Sequence, residues 1–216
     1  MGSTGFKRAI NLPQRMGDPG LAFQCLISLP PAMAAAFGRL TGRHPPEWVA
    51  AADPPGPGTG SGGATAYLLA TAWCQTGGDR SFESWLQAGR KLVVHAGGQG
   101  RRLPAYAPVG KVLLPFPVLR WSRGQRLDQT LLDLQLPVYE RLWRHAPEPA
   151  CVMIASGDVL VRLGRQLPKF PAVDVLGVGV RVAPETAQDF GVFFYPRRYP
   201  GRLAFVRQKP SASEIR

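Results

Sequence analysis

KLVVHAGGQGRRLPAYAPVGKVLLPFPV, residues Lys91 to Val118, opens with a β-branched apolar run and turns abruptly into glycine. Leu92-Val93-Val94 is short enough for a buried strand. Gly97, Gly98 and Gly100 follow, where the missing Cβ lets backbone approach a ligand closely. Arg101, Arg102 and Lys111 come next. A strand entering a glycine loop and then cations is suited to holding a polyphosphate against backbone N–H groups.

Two common glycine loops do not fit. The NTPase phosphate loop needs Ser or Thr after Gly-Lys, and Gly110-Lys111 is followed by Val112. The dinucleotide fingerprint counted from Gly98 needs a sixth-position glycine, and finds Leu103. The arrangement Ala96-Gly97-Gly98, Gly100-Arg101, Lys111 and the apolar Pro115 to Val118 instead resembles the signature of sugar-1-phosphate nucleotidyltransferases.

Flanking segments narrow the resemblance. Gly60 to Thr65, His95 to Gln99, Tyr106 to Pro108, Leu134 to Pro137, Ile154 to Asp158 and Gln208 to Pro210 occur in that order. Together they resemble the GDP-fucose pyrophosphorylase region of bifunctional L-fucokinase/GDP-fucose pyrophosphorylases, from about Leu26 to the C-terminus. The resemblance implies an α/β fold, a Rossmann-like, glycosyltransferase-A-like nucleotidyltransferase domain with a mixed sheet flanked by helices and a C-terminally incomplete sheet. It implies transfer of a guanylyl group from GTP to L-fucose 1-phosphate. The alternative expectation is a catalytically inactive nucleotide-binding fragment or regulatory remnant.

The same resemblance implies roles for single residues. Gly97, Gly98, Gln99 and Gly100 receive the triphosphate, and Gly60, Gly62 and Gly63 form a second cradle for base or phosphate. Arg101 stabilises departing pyrophosphate, Lys111 stands near the α-phosphate, and Lys209 holds the sugar phosphate. Asp158, just beyond the apolar run Cys151 to Ala155, is expected to ligate Mg2+; its plainer role is closing a strand-end turn. GTP, L-fucose 1-phosphate and a missing C-terminal half or kinase domain are the expected partners. His95 is expected to be a hydrogen-bonded packing residue, with contact to a base as its alternative.

Bulk properties fit one folded domain. The chain has 216 residues, 45% of them hydrophobic, which is enough for a sizeable core. Its net charge of +12 would ordinarily suggest nucleic acid, yet no reader motif or aromatic platform is present. From Ser84 to Leu127 there are eight Lys or Arg and no acid, a field suited to anionic substrates. Three widely spaced cysteines, Cys25, Cys74 and Cys151, form no metal or disulfide pattern. A reduced, cytoplasmic protein without a membrane span is expected.

Residues 1–20 are expected to form a loose arm, and 21–216 a partial nucleotidyltransferase domain. Helices are predicted over Leu26 to Leu40, Ala64 to Ala72, Ser81 to Gly89 and from Asp128 towards His145, the last bent or divided by Pro137. Asp53 to Gly63 reads as a surface loop. Val112 to Leu119 reads as an extended edge and Val173 to Val180 as a strand. Gly191 to Tyr195 and Leu203 to Val206 read as paired strands across a polar turn.

Overall fold

The computed structural model describes residues 23–54, 60–97, 111–116, 129–199 and 202–216. The chain forms two compact units, divided after Phe170. The N-terminal arm expected over residues 1–20 lies outside the described residues, as do Gly98 to Gly110.

The first unit is built on a parallel sheet of four strands in the order β2-β1-β3-β4. These are β1 (Gln24–Ser28), β2 (Trp48–Ala51), β3 (Lys91–His95) and β4 (Val152–Ser156). Leu92, Val93 and Val94 in β3, like Cys25, Leu26 and Ile27 in β1, are fully buried. Burial of consecutive residues means that both sheet faces are covered, which explains runs of apolar residues in place of alternation. On one face Cys25, Ile27, Leu92 and Val94 pack with Met33 and Phe37 of α1 (Pro31–Thr41) and with Leu132, Leu136, Tyr139 and Trp143 of α4 (Leu131–His145). On the other, Leu26, Val49 and Val93 pack with Leu68 and Ala72 of α2 (Gly60–Thr76) and Trp85 of α3 (Phe82–Gln87). The result is a helix–sheet–helix sandwich, so the α/β expectation is met at that level.

Local chemistry sets the helix ends. Pro31 occupies the first turn of α1, where its missing N–H is no loss. The helix closes on Gly42 at φ 69°, whose N–H donates to the Gly38 carbonyl. The Ser81 hydroxyl accepts from the Ser84 N–H and starts α3, as expected. α4 is capped by Thr130 rather than starting at Asp128: the Thr130 side chain accepts from the Asp133 N–H, and Asp133 accepts in return from the Thr130 N–H. Asp133 also pairs with Arg43 at 2.8 Å, tying the start of α4 to the end of α1.

Several predicted elements are corrected. Gln24 to Ser28 is a strand, so the first helix starts at Pro31, and Leu40 is exposed rather than part of its core face. Gly60 to Gly63 are the first residues of α2, not loop. Lys111–Leu113 is a 3-10 turn, not an extended edge, anchored by fully buried Val112. Pro137 lies inside a single, undivided α4. Val173 to Val180 forms no strand, and Val175 and Val180 stand 85% and 87% exposed. The second unit, residues 171–216, holds α5 (Pro184–Ala187), β5 (Gly191–Phe194), β6 (Phe205–Gln208) and α6 (Ala212–Ile215). β5 and β6 pair antiparallel, as predicted.

Candidate functional site

Strand order decides where a ligand can enter. The chain passes from β1 to β2 on one side, then returns through α2 and α3 to place β3 on the other side of β1. The two crossovers therefore diverge beyond the carboxyl ends of β1 and β3, the position where open parallel sheets bind ligands. A cavity of about 410 Å³ opens there. Ser28 ends β1, Asp53 follows β2, His95-Ala96-Gly97 ends β3 and Ser156-Gly157-Asp158 ends β4. Gly60 and Ser61 from α2, with Lys111, complete its wall.

The strand ends are knitted together beyond the regular ladder. The Ala96 N–H donates to the Ser28 carbonyl at 3.0 Å, and the Gly157 N–H to the His95 carbonyl at 2.8 Å. Gly157 is required by this closeness: a Cβ there would stand 2.7 Å from the Ala96 Cβ and 2.9 Å from the His95 carbonyl oxygen.

Lys111 and Asp158 face each other at one end of the cavity. The Lys111 Nζ lies 3.1 Å from the Asp158 Oδ2, and the Ser156 hydroxyl donates to the Asp158 Oδ1 at 2.7 Å. The Ser156 hydrogen bond and the Lys111 cation, against the opposing pull of partial burial, hold the Asp158 carboxyl below its ordinary value. Asp158 is thus ionised at neutral pH. Behind it, the buried Gln135 side chain of α4 donates to the Val159 carbonyl. It also reaches the Ser156 and Gly157 carbonyls, each at 3.5 Å. The sequence segments Leu134 to Pro137 and Ile154 to Asp158 therefore meet in space.

At the α2 side of the cavity the Thr65 hydroxyl lies 2.8 Å from the Ser61 carbonyl oxygen and 2.8 Å from the His95 Nε2. A carbonyl only accepts, so the one Thr65 proton goes to Ser61 and the His95 Nε2 must donate. Burial pushes the His95 imidazole below its ordinary value, with Asp53 acting weakly the other way. This agrees with the expected hydrogen-bonded packing role, although His95 also lines the cavity.

The remaining expected residues divide clearly. Gly60 and Gly97 line the cavity; Gly62 and Gly63 do not, and a Cβ on Gly62 would meet nothing within 4 Å. Gly98, Gln99, Gly100 and Arg101 lie outside the described residues. Lys209 belongs to the second unit, at the end of β6, with φ at 50°. Sequence reasoning missed Asp53 as a cavity residue, because β2 itself was not foreseen; an acid two residues past a strand end was the available signal. Among the described residues no three His, Cys, Asp or Glu side chains gather into a metal cluster.

Fold and cavity together define a parallel α/β domain with a cleft at the carboxyl ends of its strands, where open parallel sheets bind ligands. Residues 83–216 match the fucose pyrophosphorylase domain family, and the chain belongs to it. It is 43% identical over 192 residues to the L-fucokinase/L-fucose-1-P guanylyltransferase of Bacteroides fragilis, covering 89% of this chain and 20% of that protein. It is 32% identical over 126 residues to the bifunctional fucokinase/GDP-fucose pyrophosphorylase of Arabidopsis thaliana, covering 52% of this chain and 12% of that protein. The chain thus spans a fifth or less of these relatives. No solved structure matches it. No described helix is long and apolar enough to cross a membrane.

Proposed function

We propose that this chain carries the nucleotide half of a fucose-1-phosphate guanylyltransferase, with a Rossmann-like nucleotidyltransferase sheet, and that it acts within a larger protein that also includes a kinase domain. The observation that carries this is the strand-end cavity, which joins the glycine turn at Gly97 to the facing Lys111 and Asp158. A phosphate oxygen of L-fucose 1-phosphate attacks the α-phosphorus of GTP; a new P–O bond forms, and the bond to pyrophosphate breaks.

No protein nucleophile is needed, because the attacking phosphate is already ionised. The domain's work is to align two anions and offset their repulsion. Lys111 places a cation at the α-phosphate, and Gly97 to Gly100 offer backbone donors to the triphosphate. Arg101 stabilises charge on the departing pyrophosphate.

Asp158 is the residue that would hold Mg2+. Its carboxylate is ionised, half exposed and on the cavity wall, which fits a hard cation. With Asp158 as the one carboxylate at that end among the described residues, the ion's other ligands would be substrate phosphate oxygens and water. The ion, when bound, supplies neutralisation of phosphate charge. A second reading, nucleotide binding without turnover, is favoured by the same single carboxylate.

The test is to mix GTP, Mg2+ and L-fucose 1-phosphate with the chain, and separately with the full-length protein that contains it. Pyrophosphate release that depends on the sugar phosphate supports guanylyl transfer. Nucleotide binding with no pyrophosphate in either sample leaves the second reading, and no binding in either overturns both.

A further inference from the structure

The cavity has two chemically different ends. Lys111 and Asp158 occupy the β4 end, while Asp53 enters from β2, at the other edge of the sheet. From there the Asp53 side chain leans towards the glycine turn: a Cβ on Gly97 would stand 2.6 Å from its Oδ2. Among the described residues Asp53 takes no hydrogen bond and no ion pair.

Beside it is a second acceptor. The His95 Nε2–H is committed to the Thr65 hydroxyl, itself committed to the Ser61 carbonyl. The neutral ring therefore keeps an unprotonated Nδ1 lone pair, with no hydrogen-bond partner among the described residues. The Asp53 and His95 side chains at this end thus offer acceptors alone, where the other end pairs a carboxylate with a cation. It suits a ligand group made of adjacent donors.

We propose that Asp53 is the base-specificity residue of this site, its carboxylate accepting from the N1–H and 2-amino groups of a guanine, with His95 Nδ1 as a further acceptor beside it. The inference rests on the nucleotide reading of the cavity. Guanine is the common base with two neighbouring donors on its pairing edge. Adenine presents an acceptor, N1, beside its amino group, and that lone pair would face the Asp53 carboxylate. Hypoxanthine keeps the N1–H and lacks the 2-amino group. A bidentate carboxylate pair is charge-assisted and directional, and so discriminates strongly.

Calorimetric titration of the 216-residue chain with GTP, ITP, ATP and tripolyphosphate, each with Mg2+, tests this in the wild type and in Asp53→Asn and Asp53→Ala. Asp53 is exposed, so neither substitution disturbs the core. The wild type is expected to prefer GTP over ITP and ATP. Both variants are expected to bind GTP about ten- to hundredfold more weakly, bringing GTP close to ITP, with tripolyphosphate affinity unchanged within about twofold. An unaltered GTP-to-ITP ratio in the variants overturns the proposal. So does a loss shared equally by tripolyphosphate, which would assign Asp53 to phosphate or metal. A wild type that binds GTP, ITP and ATP alike overturns the specificity inference and leaves the nucleotide reading standing. No binding of any of them by the wild-type chain or by the full-length protein that contains it overturns both.

Discussion

The Lys111 Nζ stands 3.1 Å from the Asp158 Oδ2 across the end of the cavity. Both side chains are substantially exposed, 34% and 50%, so solvent screens the pair and its contribution to folding is small. Its value is positional, since the ammonium and carboxylate are held side by side before any anion arrives. Lys111→Ala is expected to change unfolding stability by less than about 1 kcal/mol. The same change is expected to lower guanylyl transfer in the full-length protein roughly a hundredfold. Urea unfolding and pyrophosphate release measure the two quantities; equal, large losses in both would make the pair structural.

Acid titration of Asp158 follows from its surroundings. Its folded pKa is depressed, with the Ser156 hydroxyl as the first cause, so its contribution to stability is present above the unfolded carboxylate value. That contribution is lost as pH falls through the lower, folded value. Ser156→Ala is expected to move the Asp158 titration upward towards an ordinary carboxylate, read by carboxyl-carbon NMR. An unmoved titration would show that the Ser156 contact does not persist in solution.

Gln135 illustrates how a motif can be legible while its purpose is not. The segment Leu134 to Pro137 is recognisable in the sequence, but only packing shows that its amide holds the Val159 carbonyl behind Asp158. β3, β4 and the β5–β6 pair were legible because each is an apolar run bounded by turn residues. β1 was read as helix because Leu29, Met33 and Phe37 continue its apolar pattern at helical spacing, and a short strand buried on both faces has no period of its own. Gly60 to Gly63 looked like loop because glycine disfavours helix, whereas burial of Leu68 and Ala72 against the sheet supports the helix that they begin. Val173 to Val180 has strand propensity but pairs with no strand among the described residues. Asp53 and the Thr65–His95 bond were not legible, since both depend on which strands become neighbours.

Gln135→Leu is expected to destabilise the first unit by about 0.5 to 1.5 kcal/mol, because the part-buried Val159 carbonyl loses its donor. Hydrogen exchange at residues 156–159 is expected to speed up more than exchange in β1. Uniform acceleration across the sheet would instead mean that Gln135 supports the core generally and not the Asp158 turn.

Arg43 and Asp133 are 8% and 12% exposed and also frame the α4 capping box. Burial pushes the Asp133 carboxyl up, but the Thr130 N–H and Arg43 outweigh it and hold it below its usual value. Its stabilisation is therefore present above the unfolded carboxylate value and falls away as pH drops through the folded one. Asp133→Ala removes the α4 cap and one ion-pair partner of Arg43, an expected loss of about 1 to 3 kcal/mol. Chemical unfolding at neutral pH measures it, and a loss under about 1 kcal/mol would show that Arg43 finds solvent or another acceptor.

Gly157 and Gly97 separate architecture from ligand approach. A Cβ on Gly157 meets the Ala96 Cβ and the His95 carbonyl, atoms held by the sheet, whereas a Cβ on Gly97 meets mainly the movable carboxylate of Asp53. Gly157→Ala is expected to cost about 1 to 3 kcal/mol in unfolding stability, as overpacking does. Gly97→Ala is expected to cost less than about 1 kcal/mol, because Asp53 can swing away, and to weaken GTP binding by at least about tenfold, because the new methyl and the displaced carboxylate both enter the cavity. Unfolding and calorimetry on the two variants measure these opposite patterns. If Gly97→Ala instead matched Gly157→Ala in stability and bound GTP normally, the glycine turn would be serving the packing of the strand ends and not the ligand.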